Sequence, residues 1–389
     1  MKKLGKNKDD QKRSNWGLIL QLIAAGQCSS RIDLARTTGL TKTAISQITG
    51  DMISRGYLKE AEKEIRMETG RNPVRLVISD SAPKFIGLLI ERTYCAAVLC
   101  DMNLRILKQE SIIKEWETKE ELEDAMLRLV DSMMEEKLPV AAIGAASIGP
   151  VNVEEGRILK PYYFHGIHDV HVKELLQQHY HLPVYFDHDN QSAVLAEYLF
   201  GNGRGYQDIL LIGIGRGIGS GIIVQGHRVR NSYGDAPEFG HISIDYRGRE
   251  CVCGNRGCLE MYVNSDAMMQ KFAYITGKEL SFAEYMKYTD DPQIDRLMRE
   301  CVDILVSGIV NTLNVLNSQI VLLGMTCVSW PDKYISLIED KLNQMKFGNK
   351  DIRTPVRKVY FGEKAQLLGA ACNAMNWVFD GEALSLDRE

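Results

Sequence analysis

Across residues 15–25 the apolar positions Trp16, Leu18, Ile19, Leu22 and Ile23 recur at helical spacing, which predicts an amphipathic helix near the start of the chain. Ser29 or Ser30 can cap a second helix, with Leu34 and Ala35 facing inward, and Gly39 ends it. Leu40 fills the turn, and Thr41 or Thr43 can cap a third helix whose apolar stripe is Ile45, Ile48, Met52 and Ile53. The opposite face of this helix carries Lys42, Thr43, Ser46 and Gln47 near its N-terminus, where a recognition helix meets base edges and phosphates. Gly70 and Pro73 mark a turn before a strand at 74–78, and a β-hairpin wing there would set Arg66 and Arg71 beside a DNA backbone. The same pattern also suits a small helical domain that binds protein, with Lys42 and Gln47 merely solvated. Farther on, β-branched runs at 184–186, 209–214 and 320–323 alternate with helical stretches at 120–134 and 191–199, the pattern of α/β lobes.

At 389 residues and 45% hydrophobic content, the chain can bury ordinary cores in two or three domains. It has no apolar run of bilayer length. The opening MKKLGKNKDDQKRSN lacks the apolar segment of a secretory signal, so the sequence reads as cytoplasmic with no membrane partner. The first 80 residues hold 15 Lys and Arg against 9 Asp and Glu, whereas the remainder hold 32 against 42. A basic head on an acidic body confines contact with a polyanion such as operator DNA to the head.

One short segment changes the picture most. In EFGHISIDYRGRECVCGNRGCLE, residues 238–260, His241, Cys251, Cys253 and Cys258 supply an imidazole and three thiols, the ligand set of a closed tetrahedral zinc site. Gly254 and Gly257 permit the positive backbone angles that bring sulfurs around one ion. Four protein ligands leave no position for a catalytic water, so Zn2+ is expected to be structural. Cys28, Cys95, Cys100, Cys301, Cys327 and Cys372 are scattered and read as small core residues.

These features together resemble the ROK family of repressors, open reading frames and kinases, and its repressor branch of xylose-, glucose- and N-acetylglucosamine-responsive regulators. The likeness rests on SRIDLARTTGLTKTAISQITGDMISRGYL and GRNP in the head, the zinc segment, IGAASIGPVN, FDHDNQSAVLAEYLFG, GRGIGSGII, LNSQIVLLG and KAQLLGAA. It implies an α/β architecture: a winged helix-turn-helix at 1–80, then the two-lobed actin and hexokinase-like (ribonuclease H-like) sugar-kinase fold. The first lobe is expected at 81–188, with a C-terminal helix at about 374–389, and the second at 189–373 with the zinc site and a sugar pocket. The order of strands is carried over from the family.

The resemblance also assigns roles. Family kinases carry an aspartate, two glycines and a threonine in their first hairpin; here Leu89 stands at the aspartate position, Glu91 and Arg92 replace the glycines, and Thr93 remains. An anionic side chain and two bulky groups at bare positions oppose a triphosphate. Arg216 stands where kinases have threonine in the second phosphate loop, and Gly324 followed by Met325 departs from their glycine pair near adenosine. Asp189, by contrast, matches the carboxylate that takes a proton from the sugar hydroxyl, and Glu238, His241 and Glu260 match sugar-contacting residues, while His188 replaces a common asparagine. The resemblance thus implies a degenerate sugar kinase without a catalytic residue, acting as a sugar-responsive repressor of carbohydrate genes. Its partners would be operator DNA, a monosaccharide and a second copy in a homodimer or dimer of dimers. Two alternatives stay open: an active ATP-dependent sugar kinase, and a regulator switched by a sugar-transport protein.

Overall fold

The computed structural model describes residues 8–61, 74–231, 236–348 and 351–382. The chain opens on three helices, α1 (Lys8–Ala24), α2 (Arg31–Thr38) and α3 (Lys42–Ser54), followed by the antiparallel pair β1 (Leu58–Glu60) and β2 (Leu76–Ile78). Of the two capping alternatives, Ser30 accepts a hydrogen bond from the Asp33 amide at 3.2 Å, and Thr41 accepts one from Ala44 at 3.2 Å. Gly39 ends α2 at φ 72°, a left-handed turn that suits glycine. Trp16, Ile19, Leu20, Leu22 and Ile23 are buried, but Leu18 is 38% exposed. Its expected inward placement is corrected by geometry: two residues on from Trp16, it stands about 200° round the helix. In α3 the stripe is Ile45, Ile48, Thr49 and Met52, with Ile53 only half-buried. Arg66 and Arg71, the expected wing residues, lie outside the described residues.

The first lobe is built on β3 (Lys84–Ile90), β4 (Tyr94–Cys100), β5 (Ile106–Ile113), α4 (Lys119–Met134) and β6 (Val140–Ser147). The short pair β7 (Val151–Asn152) and β8 (Arg157–Ile158), then α5 (Val172–Tyr180) and β9 (Val184–His188), follow. Its sheet runs β5-β4-β3-β6-β9, with β3, β4 and β5 antiparallel and β6 parallel to β3. The second lobe contains α6 (Asp189–Phe200), β10 (Ile209–Ile214), β11 (Ile218–Val224), β12 (His227–Arg228), α7 (Ser265–Thr276), α8 (Phe282–Tyr285), α9 (Pro292–Leu316), β13 (Ile320–Met325), α10 (Asp332–Met345) and β14 (Val356–Lys358). The last helix, α11 (Ala365–Phe379), starts ahead of the expected 374.

The second sheet runs β12-β11-β10-β13-β14, again an antiparallel meander joined to parallel strands. Each lobe therefore repeats one plan. Leu210, Ile212, Ile214, Val321 and Leu323 face the core formed by α9 and α10, while Ile209, Leu211, Ile320 and Leu322 face α6. Burial on both faces explains why these strands read as unbroken apolar runs rather than as alternation. By contact density the chain forms two compact units: residues up to 148 with 155–187 and those from 370 on, and residues 149–154 with 188–369. The head belongs to the first unit. Among the described residues no helix is long and apolar enough to cross a membrane.

Candidate functional site

His241 ends a short 3-10 turn, Phe239–His241, and Cys258 precedes another, Leu259–Met261; an isolated bridge between Ser243 and Cys258 draws them together. The donor atoms of His241, Cys251, Cys253 and Cys258 all lie within 4.8 Å of one another. Cys253 and Cys258 sulfurs are 3.7 Å apart, and Nδ1 of His241 is 3.5 Å from Cys251 Sγ. Zn–S bonds of about 2.3 Å at tetrahedral angles place sulfurs about 3.8 Å apart, so the cluster has the size of a metal site. Gly254 (φ 90°) turns the loop back between the paired cysteines, and Gly257 (φ 68°) admits the Asp245 carbonyl, which a Cβ there would meet at 1.8 Å. Since Nδ1 faces the sulfurs, Nε2 is the nitrogen of His241 directed away from the cluster.

Asp189 is the first residue of α6, immediately after β9, and is 4% exposed. Its Oδ1 accepts from the Asn190 amide at 2.5 Å and from Asn190 Nδ2 at 2.9 Å, and lies 2.9 Å from His188 Nδ1. His188 caps the helix, with Nδ1 3.3 Å from the Asn190 amide. A Cβ on Gly149 would stand 2.9 Å from the His188 ring and 3.9 Å from Glu238 Oε1, so the bare glycine brings these side chains to one place. Glu260 Oε2 accepts from the Ile218 amide at 2.8 Å, at the start of β11. Asp189 and His188 are buried, His241 and Glu260 half-buried and Glu238 exposed. Phe164 is buried in the first lobe, and His165 is exposed there, its Nε2 3.7 Å from Glu115.

In the head, Lys42, Thr43, Ser46 and Gln47 are all exposed on the first two turns of α3. Arg31 holds this helix in place: Nε donates to the buried Thr49 hydroxyl at 3.0 Å and the guanidinium pairs with Glu60 on β1 at 2.9 Å.

Residues 85–376 match the ROK family. The chain belongs to that family. It is 26% identical over 383 residues to the DNA-binding transcriptional repressor Mlc of Escherichia coli, covering 93% of each protein. The crystal structure of a ROK family transcriptional regulator, homologous to Mlc, superposes with a TM-score of 0.80 at 24% identity, covering 96% of this chain and 98% of that one. A ROK glucokinase from Streptomyces griseus, solved with glucose and AMPPNP, gives 0.65 at 25% identity but covers only 74% of this chain against 98% of its own. Much of that shortfall matches the length of the head, since the family match begins at residue 85.

Leu89, Glu91 and Arg92, the residues expected at the phosphate positions of ROK kinases, all lie in the β3–β4 segment. Leu89 is buried in β3, and Glu91, 8% exposed, closes the β3–β4 hairpin by donating its amide to the Tyr94 carbonyl at 2.9 Å. Trp116 Nε1 donates to the Glu91 carbonyl at 3.0 Å, and Arg92 Nε donates to the Tyr162 carbonyl at 3.1 Å, so both residues are built into the lobe. In the second lobe Met325 holds φ 56°, a left-handed angle that favours glycine. Its Sδ would lie 2.9 Å from a Cβ on Gly213 and its Cε 3.1 Å from one on Gly215. The thioether thus covers the glycine-rich turn.

Sequence reasoning missed Asn190. Its side chain lies flat on the β10–β11 hairpin, where a Cβ on Gly213 would meet Oδ1 at 2.2 Å and one on Gly219 would meet Nδ2 at 2.5 Å. A Cβ on Gly217 would meet Glu260 Oε2 at 2.8 Å. The alternating glycines are spaced to admit site side chains, a signal visible in GRGIGSG but indistinguishable there from a phosphate loop.

Proposed function

We propose that this chain is a sugar-responsive DNA-binding regulator, a repressor of carbohydrate-use genes whose body descends from a sugar kinase and no longer transfers phosphate. The observation that carries the reading is the polar row Lys42, Thr43, Ser46 and Gln47, exposed at the start of a helix that Arg31 clamps in a helix-turn-helix arrangement. Arg66 and Arg71 would add phosphate contacts.

A monosaccharide would be held in the second lobe by carboxylates and imidazoles that accept from, and donate to, neighbouring hydroxyls. Asp189 uses Oδ1 for its own turn, which reserves Oδ2 for a sugar hydroxyl. Glu238, Glu260, His188 and the Nε2 of His241 would supply the remaining contacts. Zn2+ on His241, Cys251, Cys253 and Cys258 would supply no chemistry beyond a cross-link that orients the His241 ring. Asp189 would act only as an acceptor here, a reading supported by Leu89, Glu91 and Arg92 at the positions where family kinases are expected to carry an aspartate and two glycines. A homodimer would present two heads to two half-sites.

The test is direct. The purified protein selects its operator from random-sequence DNA, and fluorescence anisotropy then follows affinity with D-glucose, D-xylose or N-acetyl-D-glucosamine added. A sugar-dependent change in affinity is expected, and Lys42→Ala is expected to lower the slope of log K against log salt by about one. No DNA binding at any salt refutes the reading. DNA release only on adding a sugar-transport protein, with no sugar effect, replaces the monosaccharide by that protein.

A further inference from the structure

We infer that α11 is the shaft that carries the state of the sugar pocket to the DNA-reading head, with Gly369 and Gly17 as its two bearings; the inference rests on the regulator reading above. Residues 365–369 of this helix belong to the unit that contains Asp189, and residues from 370 on belong to the unit that contains the head. One continuous helix is therefore shared by both.

At its first end the helix touches the sugar-site helix backbone to backbone. A Cβ on Gly369 would stand 2.3 Å from the Ser192 carbonyl carbon and oxygen and 2.6 Å from the Ala193 amide. Ser192 is one turn into α6, and its hydroxyl donates to the His188 carbonyl at 2.9 Å. A shift of His188 or Asp189 around a ligand must displace this turn, and no side chain lies between it and α11 to absorb the movement.

The other end touches the head in the same way. A Cβ on Gly17, in the middle of α1, would stand 2.0 Å from the Phe379 carbonyl oxygen, and one on Gly381 would stand 2.3 Å from the Arg13 carbonyl. Interlocked glycines of this kind hold two backbones in register, because neither surface has a flexible side chain to yield. Farther along α1, Asn103 Nδ2 donates to the Ala24 carbonyl at 2.9 Å. The same helix buries Trp16, Ile19, Leu20 and Ile23. The head is thus joined to α11 by a packed helix rather than by a loop.

Coupling of this form is a free energy shared by the two sites, so sugar and operator change each other's affinity by one factor. Gly17→Ala in the full chain is expected to leave sugar affinity, measured by calorimetry without DNA, within about twofold of wild type, while that shared factor falls towards one. Full retention of the factor in a folded Gly17→Ala protein overturns the inference. Should that variant not fold, hydrogen exchange on the wild type decides: D-glucose, D-xylose or N-acetyl-D-glucosamine, whichever binds, changes protection in peptides spanning 369–379 and 13–24. A sugar that alters DNA affinity without altering protection there overturns the inference and leaves the regulator reading standing. If none of these sugars binds, the sugar reading fails and the shaft fails with it.

Discussion

At the residue scale the proposed sugar pocket turns on how Asp189 is held. Its Oδ1 accepts from both the amide and the side chain of Asn190, and burial removes water as an alternative partner, which makes Oδ2 the oxygen proposed to accept from the sugar. Asp189→Asn is expected to weaken sugar binding roughly ten- to a hundredfold in calorimetry, the value of a hydrogen bond to a charged acceptor, and to leave DNA affinity without sugar unchanged. The same side chain decides between regulator and kinase. With ATP, Mg2+ and a panel of hexoses and pentoses, no phosphorylated sugar is expected, and turnover that Asp189→Asn abolishes would refute the loss of transferase chemistry. Residue types were legible in the sequence wherever chemistry is rare: three cysteines and a histidine at metal spacing left little choice. Asn190 and Gly149 were not legible, because an asparagine beside an aspartate and a glycine before a proline carry no distinguishing pattern. Their importance comes from which backbone lies against them.

At the scale of elements, loops and helices are tied by different means. The segment 241–258 has little apolar surface of its own, with Val252, Cys253 and Tyr246 exposed, so a metal held by the His241, Cys251, Cys253 and Cys258 cluster would supply the order that packing does not. Cys253→Ser is expected to abolish bound zinc in elemental analysis, to lower the melting temperature by roughly 5–10 °C, at about 2–4 °C per kcal/mol, and to weaken sugar binding through His241. A zinc-free variant with unchanged sugar affinity would separate metal from pocket. Helices α9 and α10 are instead clamped by Asp295, which takes Arg299 Nε at 2.6 Å, the Tyr334 hydroxyl at 2.8 Å and Lys333 Nζ at 3.1 Å. The Arg299 hydrogen bond is the main cause that holds this carboxyl down to about 2 from its ordinary 3.8, against the opposing effect of burial. The ionised form is the one folding favours, so the contribution is complete above about pH 4 and is lost as pH falls towards 2. Asp295→Asn is expected to cost about 1 kcal/mol near neutral pH in urea unfolding, after discounting for solvent at the exposed Arg299, and nothing below pH 2. The caps of α2 and α3 were legible as pairs of candidates, and only the observed hydrogen bonds chose Ser30 and Thr41. Strand order was not legible at all, since ILLIGI and IVLLGM read alike whichever neighbour each strand takes.

At the scale of the whole molecule, affinity for DNA depends on symmetry. A head with one recognition helix touches only a few base pairs, and its sequence-independent attraction is limited by an acidic body of 42 Asp and Glu against 32 Lys and Arg beyond residue 80. Specific binding would then need two heads on one face of the duplex, which the proposed two-fold dimer would provide when half-sites are a whole number of helical turns apart, about 10.5 base pairs or a multiple. Inserting about 5 base pairs between the half-sites places the second on the opposite face of the duplex, and inserting about 10 restores it. In footprinting and anisotropy on the selected operator, the first insertion is expected to reduce binding to that of a single half-site, and the second to recover most of it. Because α1 is packed against the end of α11, a head cannot swing freely to meet a misplaced half-site, so the penalty for half a turn should be large. Equal affinity at every spacing would mean that each head binds alone, and would remove the dimer from the mechanism while leaving α3 as the reading element.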